Sequence, residues 1–318
     1  MRSDRFDSDV SFHGFADPPS VGRGGSLPAV AIPDSTSQVR GVDLTHVIYT
    51  ADVAHGRQIE AAAKGGNGGG NGGGGGGPGG GGGGGGSGFD PYVSGPADSA
   101  SGFNITVVFE GSWTQELHDI FVAAADFYTS LIVGELQDVS VRSRGKTTTV
   151  DDITITASLA NIDGAGGILG QAGPTAIRTS NSLPATAMMQ FDIADADAFN
   201  LLGLFDDIVF HEMGHALGFG SIWGRLGLVD GNGFFTGAQA KAESLDLFGT
   251  SLIYVEQDGG GGTAGSHWDE TTYDDEIMTG YVNDANYLSS MSAASYGDLG
   301  YQLAANFRDV AADFDLMA

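Results

Sequence analysis

From residue 104 onward, short β-branched runs alternate with longer stretches whose apolar residues recur at helical spacing. Residues 104–110 (Asn-Ile-Thr-Val-Val-Phe-Glu) predict a strand. Behind Thr114, a residue type whose hydroxyl caps helices, Leu117, Ile120, Phe121, Ala124, Phe127, Tyr128 and Leu131 return three and four positions apart. That spacing predicts an amphipathic helix laid on a sheet. Residues 152–158 and 187–193 predict two further strands, joined by glycine-rich loops such as residues 163–167. Residues 204–219 predict a helix with Asp206 and Asp207 in its first turn, where carboxylates favour the positive end of the helix dipole. The expected class is α+β, and residues 104–318 suffice to bury one sizeable core.

The pattern fades toward the N-terminus. Residues 1–64 are rich in Asp, Ser, Pro and Gly with only short apolar runs such as residues 42–49, and predict a loosely ordered leader or pro-segment holding one strand. Residues 65–103 predict a flexible tether, since 20 of the 24 positions from Gly65 to Gly88 are glycine. Glycine offers nothing to pack and loses the most freedom on ordering. A phosphate-binding loop would lead through Gly-Lys-Ser/Thr into a helix, whereas these glycines run out into Phe89-Asp90-Pro91.

Charge and composition narrow the chemistry. Forty acidic residues against 13 basic ones give a formal net charge of −27, which disfavours nucleic acid and anionic lipid as partners. With no cysteine, a metal must be held by His, Asp or Glu. No apolar run is long enough to span a bilayer, and no conventional secretory signal opens the chain.

Within the 204–219 helix lies His211-Glu212-Met213-Gly214-His215. Residues four apart share a helix face, so both imidazoles reach one ion while Glu212, about 100° round the helix, stands beside its open position. Zn2+ held by three neutral ligands activates water, and a neighbouring carboxylate accepts the water's proton during attack on a carbonyl. The implied reaction is hydrolysis of amide bonds, with protein or peptide substrates as partners. For the third ligand, the position six residues after His215, where a compact form of this motif places a histidine, is Ser221. Only His267 lies downstream, in Ser266-His267-Trp268, with Met278 eleven residues later in Glu276-Ile277-Met278-Thr279-Gly280. Glu243 is a rival third ligand in the manner of gluzincins, and ordinary core packing is the competing account of Met278. A non-catalytic, zinc-stabilised binding protein is a further alternative; Glu212 argues against it, because a structural site needs no base. An elastic or self-associating spacer built on the glycine tract ranks last, since nothing flanking the tract repeats.

The His211–Phe219 run and the block from Ser266 to Tyr281 resemble the leishmanolysin-like zinc metallopeptidases, a metzincin branch, and especially their bacterial members. Trp223, residues 235–240, Val255-Glu256 and residues 292–301 are similar too, so the resemblance covers about residues 104–305. It implies zinc on His211, His215 and His267, Glu212 as general base, and Met278 as the Met-turn beneath the metal. It implies a zincin fold: a twisted mixed sheet with helices in an N-terminal lobe, an irregular C-terminal lobe, and a cleft between. Residues 187–193 are then read as the edge strand against which substrate pairs, and Tyr281 or Tyr273 as an assisting hydroxyl. The chain departs from the eukaryotic members in having no cysteine to ligate zinc in a latent form. Ca2+ is a second candidate cation, on Asp192, Asp195 and Asp197 or on Asp230 with Asn232. The acidic-then-apolar residues 313–318 resemble an uncleaved export signal, and the expected location is extracellular by a route without an N-terminal signal, with the cytoplasm as alternative.

Overall fold

The computed structural model describes residues 48–50, 57–59 and 88–314, except residues 144, 166–167, 259, 261 and 284, all within the unit Gly41–Ala318. The rest of the expected leader, most of the glycine tract and the tail at 315–318 lie outside the described residues.

One sheet organises the first half of the described chain. Its strands are β1 (Ile48–Thr50), β2 (Arg57–Ile59), β3 (Tyr92–Ser94), β4 (Ile105–Glu110), β7 (Ile153–Ala160), β8 (Ile168–Arg178) and β9 (Pro184–Asp192). A separate antiparallel hairpin, β5 (Val139–Ser143) with β6 (Lys146–Val150), turns at Gly145. The main sheet runs β8-β9-β7-β4-β3, with β1 and β2 both paired parallel to the outer side of β8. β9, β7 and β4 are parallel to one another, while β8 runs antiparallel to β9 and β3 antiparallel to β4, so the sheet is mixed. Ile105, Val107 and Phe109 of β4 and Ile153, Ile155 and Ala157 of β7 are buried, as the alternation of a strand surface requires.

The helix α1 (Gln115–Leu131) begins where its sequence says it should: Thr114 Oγ1 accepts the Leu117 N–H at 3.2 Å. A cap of this kind stabilises by about 1 kcal/mol. One end of α1 meets the sheet through Phe121 on Phe191, ring centroids 5.4 Å apart, and its other end meets α3 (Phe205–Ala216), where Tyr128 stacks on Phe210 at 4.6 Å. The preceding helix α2 (Ile193–Leu202) is capped by Asp192 and stopped by Gly203 in the left-handed conformation.

Beyond α3 the elements are short: α4 (Trp223–Leu226), β10 (Phe234–Phe235), α5 (Ala238–Phe248), β11 (Ile253–Tyr254), α6 (Glu270–Tyr273), α7 (Ser290–Leu299) and α8 (Phe307–Ala312). An aromatic cluster binds them together, with Trp223 stacked on Trp268 at 4.7 Å and Phe219 and Phe235 edge-on to Trp268. The chain is thus a mixed α+β protein, as its patterning predicts.

Three features differ from the sequence reading. Residues 187–193 are not an edge: β9 lies between β7 and β8. On the far side of β9 lies β8, itself flanked by β1 and β2, whose Gly170, Gly173 and Pro174 make it read as a loop; the pairing slips directly after Pro174, where a ladder tolerates a residue without an N–H. The sheet also extends N-terminal to residue 104, since Tyr92–Ser94 pairs with β4.

Candidate metal centre

His211 and His215 project from one side of α3, and His267 comes from the loop before α6; all three are fully buried. Their Nε2 atoms converge, 2.9 Å apart for His211 and His215, 3.0 Å for His215 and His267, and 3.2 Å for His211 and His267. Each ring's other nitrogen faces a backbone carbonyl: Ile277 O at 2.6 Å from His211 Nδ1, Phe219 O at 2.9 Å from His215 Nδ1, and Thr263 O at 2.9 Å from His267 Nδ1. A carbonyl only accepts, so the proton sits on Nδ1 and three Nε2 lone pairs point at one another. Burial, reinforced by the neighbouring rings, pushes His211 well below the usual imidazole value; burial holds His215 down to about 4 and His267 well down. Three neutral, inward-facing lone pairs repel unless a cation lies among them. Their separations approach the ~3.3 Å edge of a tetrahedron with zinc–nitrogen bonds of ~2.0 Å, so this donor set fits zinc.

Local sequence explains how the rings are aimed. Gly218, at φ +113°, reverses the chain after α3 and brings the Phe219 carbonyl back to His215. Ser221 is a closing bond of the helix end, its hydroxyl donating to the His215 carbonyl at 2.8 Å. Gly220 lets the His267 segment approach, because a Cβ there would lie 2.0 Å from the Ser266 carbonyl oxygen. His267 is further tied down by Glu256 N–H, which donates to its carbonyl, and by Trp268 N–H, which donates to Met278 O at 3.1 Å. Met278 is fully buried, with its methyl 3.0 Å from where a Cβ on Gly214 would stand.

Glu212 is also fully buried, and neither of its oxygens has a hydrogen-bond partner among the described residues. Burial pushes its pKa well above the ordinary carboxylate value. Its side chain stands against β8: a Cβ on Gly170 would lie 3.0 Å from Glu212 Oε1.

The other candidates are employed differently. Glu243 is bound by Arg308, whose Nε donates to Oε2 at 2.8 Å, and by Ser290 Oγ at 2.8 Å, and it is not among the ligand atoms that converge with the histidines. The calcium reading finds no support: Asp192 accepts the N–H groups of residues 162, 163, 164 and 194, Asp230 accepts those of Asn232 and Phe234, and neither these nor Asp195 and Asp197 join a converging ligand group among the described residues. The Tyr273 hydroxyl accepts the Tyr254 N–H at 3.2 Å, and burial raises its pKa to about 12. Tyr281 is partly buried, its pKa raised first by desolvation and then by Glu256 and Glu270. Sequence reasoning missed Glu276, which is fully buried beside Met278, and Gly170, which sits within a strand that reads as a loop.

Comparison with known proteins points the same way as the geometry. The chain is 32% identical to leishmanolysin of Leishmania amazonensis over 126 residues and 31% identical to that of Leishmania donovani over 127. These stretches are 34% of this chain and 21% of each relative. A leishmanolysin homolog of Crithidia fasciculata is 29% identical over 110 residues, 29% of this chain and 16% of that protein. The chain therefore matches only a minor part of the length of these relatives. The sequence model of the leishmanolysin family, in contrast, matches residues 139–312, more than half the chain and the whole stretch that carries the three histidines, so the chain belongs to the leishmanolysin family of metallopeptidases.

Proposed function

We propose that this chain is a zinc-dependent endopeptidase whose ligands are His211, His215 and His267 and whose general base is Glu212. The observation that carries the reading is the convergence of three Nε2 atoms within 3.2 Å beside a buried carboxylate that has no partner of its own among the described residues. Bound zinc supplies a water of lowered pKa, toward ~7, and a Lewis acid for the scissile carbonyl. Glu212 takes the proton from that water and delivers it to the leaving amine; its dry surroundings and raised pKa suit a group that must both gain and lose a proton. Met278 forms the floor under the histidines. An extended peptide pairs with the outer edge of β8, the strand that runs past Glu212 at Gly170, through main-chain hydrogen bonds.

The proposed domain plan has residues 1–64 as a leader, 65–103 as a linking segment whose end supplies β3 (Tyr92–Ser94) to the sheet, and 104–318 as the peptidase, with the substrate cleft between a sheet-bearing lobe and a less regular C-terminal lobe. Its place of action is outside the cell. No helix among the described residues is long and apolar enough to cross a membrane.

The test is metal content together with turnover. Purified protein should carry one zinc and cleave casein in a chelator-sensitive way, and Glu212→Gln should keep the metal and lose cleavage. A Glu212→Gln protein that digests casein at the wild-type rate would overturn the mechanism.

A further inference from the structure

The peptide unit joining Ile277 to Met278 is hydrogen-bonded at both ends, and its two partners differ in kind. Its carbonyl accepts the Nδ1–H of His211 at 2.6 Å, and its N–H donates to Glu276 Oε2 at 2.7 Å. A carboxylate, one amide and an imidazole thus form a single line ending on the Nε2 that faces the metal position. Hydrogen bonds in series polarise one another, and a charged acceptor at one end strengthens the chain. In many metal sites a carboxylate bonds directly to the ligating histidine, which fixes its tautomer and raises its basicity. Here one amide is interposed.

Glu276 is built for this place. It is fully buried, and its other oxygen, Oε1, accepts from Ser289 N at 3.1 Å, from Ser289 Oγ at 2.8 Å and from Ser292 Oγ. Together with the Met278 N–H on Oε2, the four donors are all neutral, two backbone N–H groups and two hydroxyls. Burying a carboxylate against neutral donors alone costs several kcal/mol unless opposite charge lies nearby. The metal position, reached through one amide and one ring, supplies that charge. The comparable peptide of His267 ends otherwise: Thr263 O accepts from His267, while the Ala264 N–H of the same unit donates to the neutral Gly260 carbonyl.

Resting on the zinc-site reading, we infer that Glu276 is a positioning residue of the metal centre: through the Ile277–Met278 peptide it holds His211 in orientation and raises its affinity for zinc. The role is specific to His211 and separate from the part Glu276 plays in fastening α7.

The experiment measures zinc affinity by chelator competition, and the melting temperature of the metal-free form, for the wild type, Glu276→Gln and Ser289→Ala. Ser289→Ala removes the cap of α7 and one donor to Glu276 without touching the Ile277–Met278 peptide, and so reports the fastening role alone. Glu276→Gln should weaken zinc binding by about 10- to 100-fold, while Ser289→Ala lowers the metal-free melting temperature and leaves zinc affinity near that of the wild type. Unchanged zinc affinity in Glu276→Gln, or equal losses in both variants, would overturn the inference. Should Glu276→Gln not fold, the wild type decides: its Met278 amide proton should resonate far downfield with zinc bound and move upfield when zinc is removed. A Met278 amide that does not respond to zinc would refute the relay. Wild-type protein that takes up no zinc would instead remove the underlying site reading, and the inference with it.

Discussion

The hydroxyls of Tyr128 and Tyr296 lie 3.2 Å apart, closing the space beside Gly214 between the two histidines of α3. A Cβ at that position would stand 2.6 Å from Tyr296 Oη, 2.8 Å from Tyr128 Oη and 3.0 Å from Met278 Cε. None of the three can retreat easily, for Tyr128 also donates to the Phe210 carbonyl and all are buried. Gly214→Ala should therefore destabilise the fold by about 1–3 kcal/mol, the usual range for overpacking a core. Thermal unfolding checks this; an unchanged melting temperature would mean that the tyrosine pair is more yielding than its packing indicates.

His267 and Glu243 can be separated as third ligands by metal content. His267→Ala should abolish stoichiometric zinc, whereas Glu243→Gln, which disturbs only the contacts to Arg308 and Ser290, should retain it. Elemental analysis of the two dialysed variants gives the answer. The reverse pattern would move the third ligand to α5.

Acid should weaken the metal-free protein through its imidazoles. His215 is held neutral down to about 4 from an ordinary value of 6.5, and His211 and His267 are shifted in the same direction by burial. Between those values the unfolded chain binds protons that the folded chain refuses, so stability is full above about pH 6.5 and declines as the pH falls toward 4. Melting temperatures of chelated protein should drop across that window, and His215→Asn should flatten the drop. A wild-type profile as flat as the variant's would contradict the assignment.

The outer edge of β8 is not free in this chain. β1 and β2 pair with it, Ile48 opposite Ile168 and Arg57 opposite Ala176. An extended substrate pairing there, as proposed, would need the same backbone groups, so residues 48–50 and 57–59 would compete with it for one edge. Cutting the glycine tract with an added protease, and letting the leader dissociate, should raise the rate of casein cleavage. Equal rates before and after the cut would show that substrate pairs elsewhere.

Local signals in the sequence were legible where one element decides the outcome. Thr114 and the apolar stripe behind it fix α1, and the four-residue spacing of His211 and His215 fixes which ligands share a helix face. His267 stands out as the one histidine downstream of the helix, with Met278 eleven residues on, but their roles are reached only through the family resemblance, because no periodicity links residue 211 to residues 267 and 278. The order of strands was not legible. β8 carries the glycines and proline of a loop yet is a strand, since its neighbour β9 supplies a ladder and α3 covers it. The aspartates offered for calcium illustrate the same limit: Asp192 looks like a free hard ligand in sequence and is instead saturated by four backbone N–H groups of the fold around it. Glu276 was invisible for a related reason, because its importance lies in which peptide it grips.

The three imidazoles come from two stretches separated by about fifty residues, and the turn that steadies the first of them is made later still, at residues 276–278. During synthesis α3 leaves the ribosome long before that turn exists. A growing chain, or one cut short after α5, carries two of the three converging histidines with neither their third companion nor the support under His211. Convergence of the three rings thus waits on nearly the whole of the described C-terminal half.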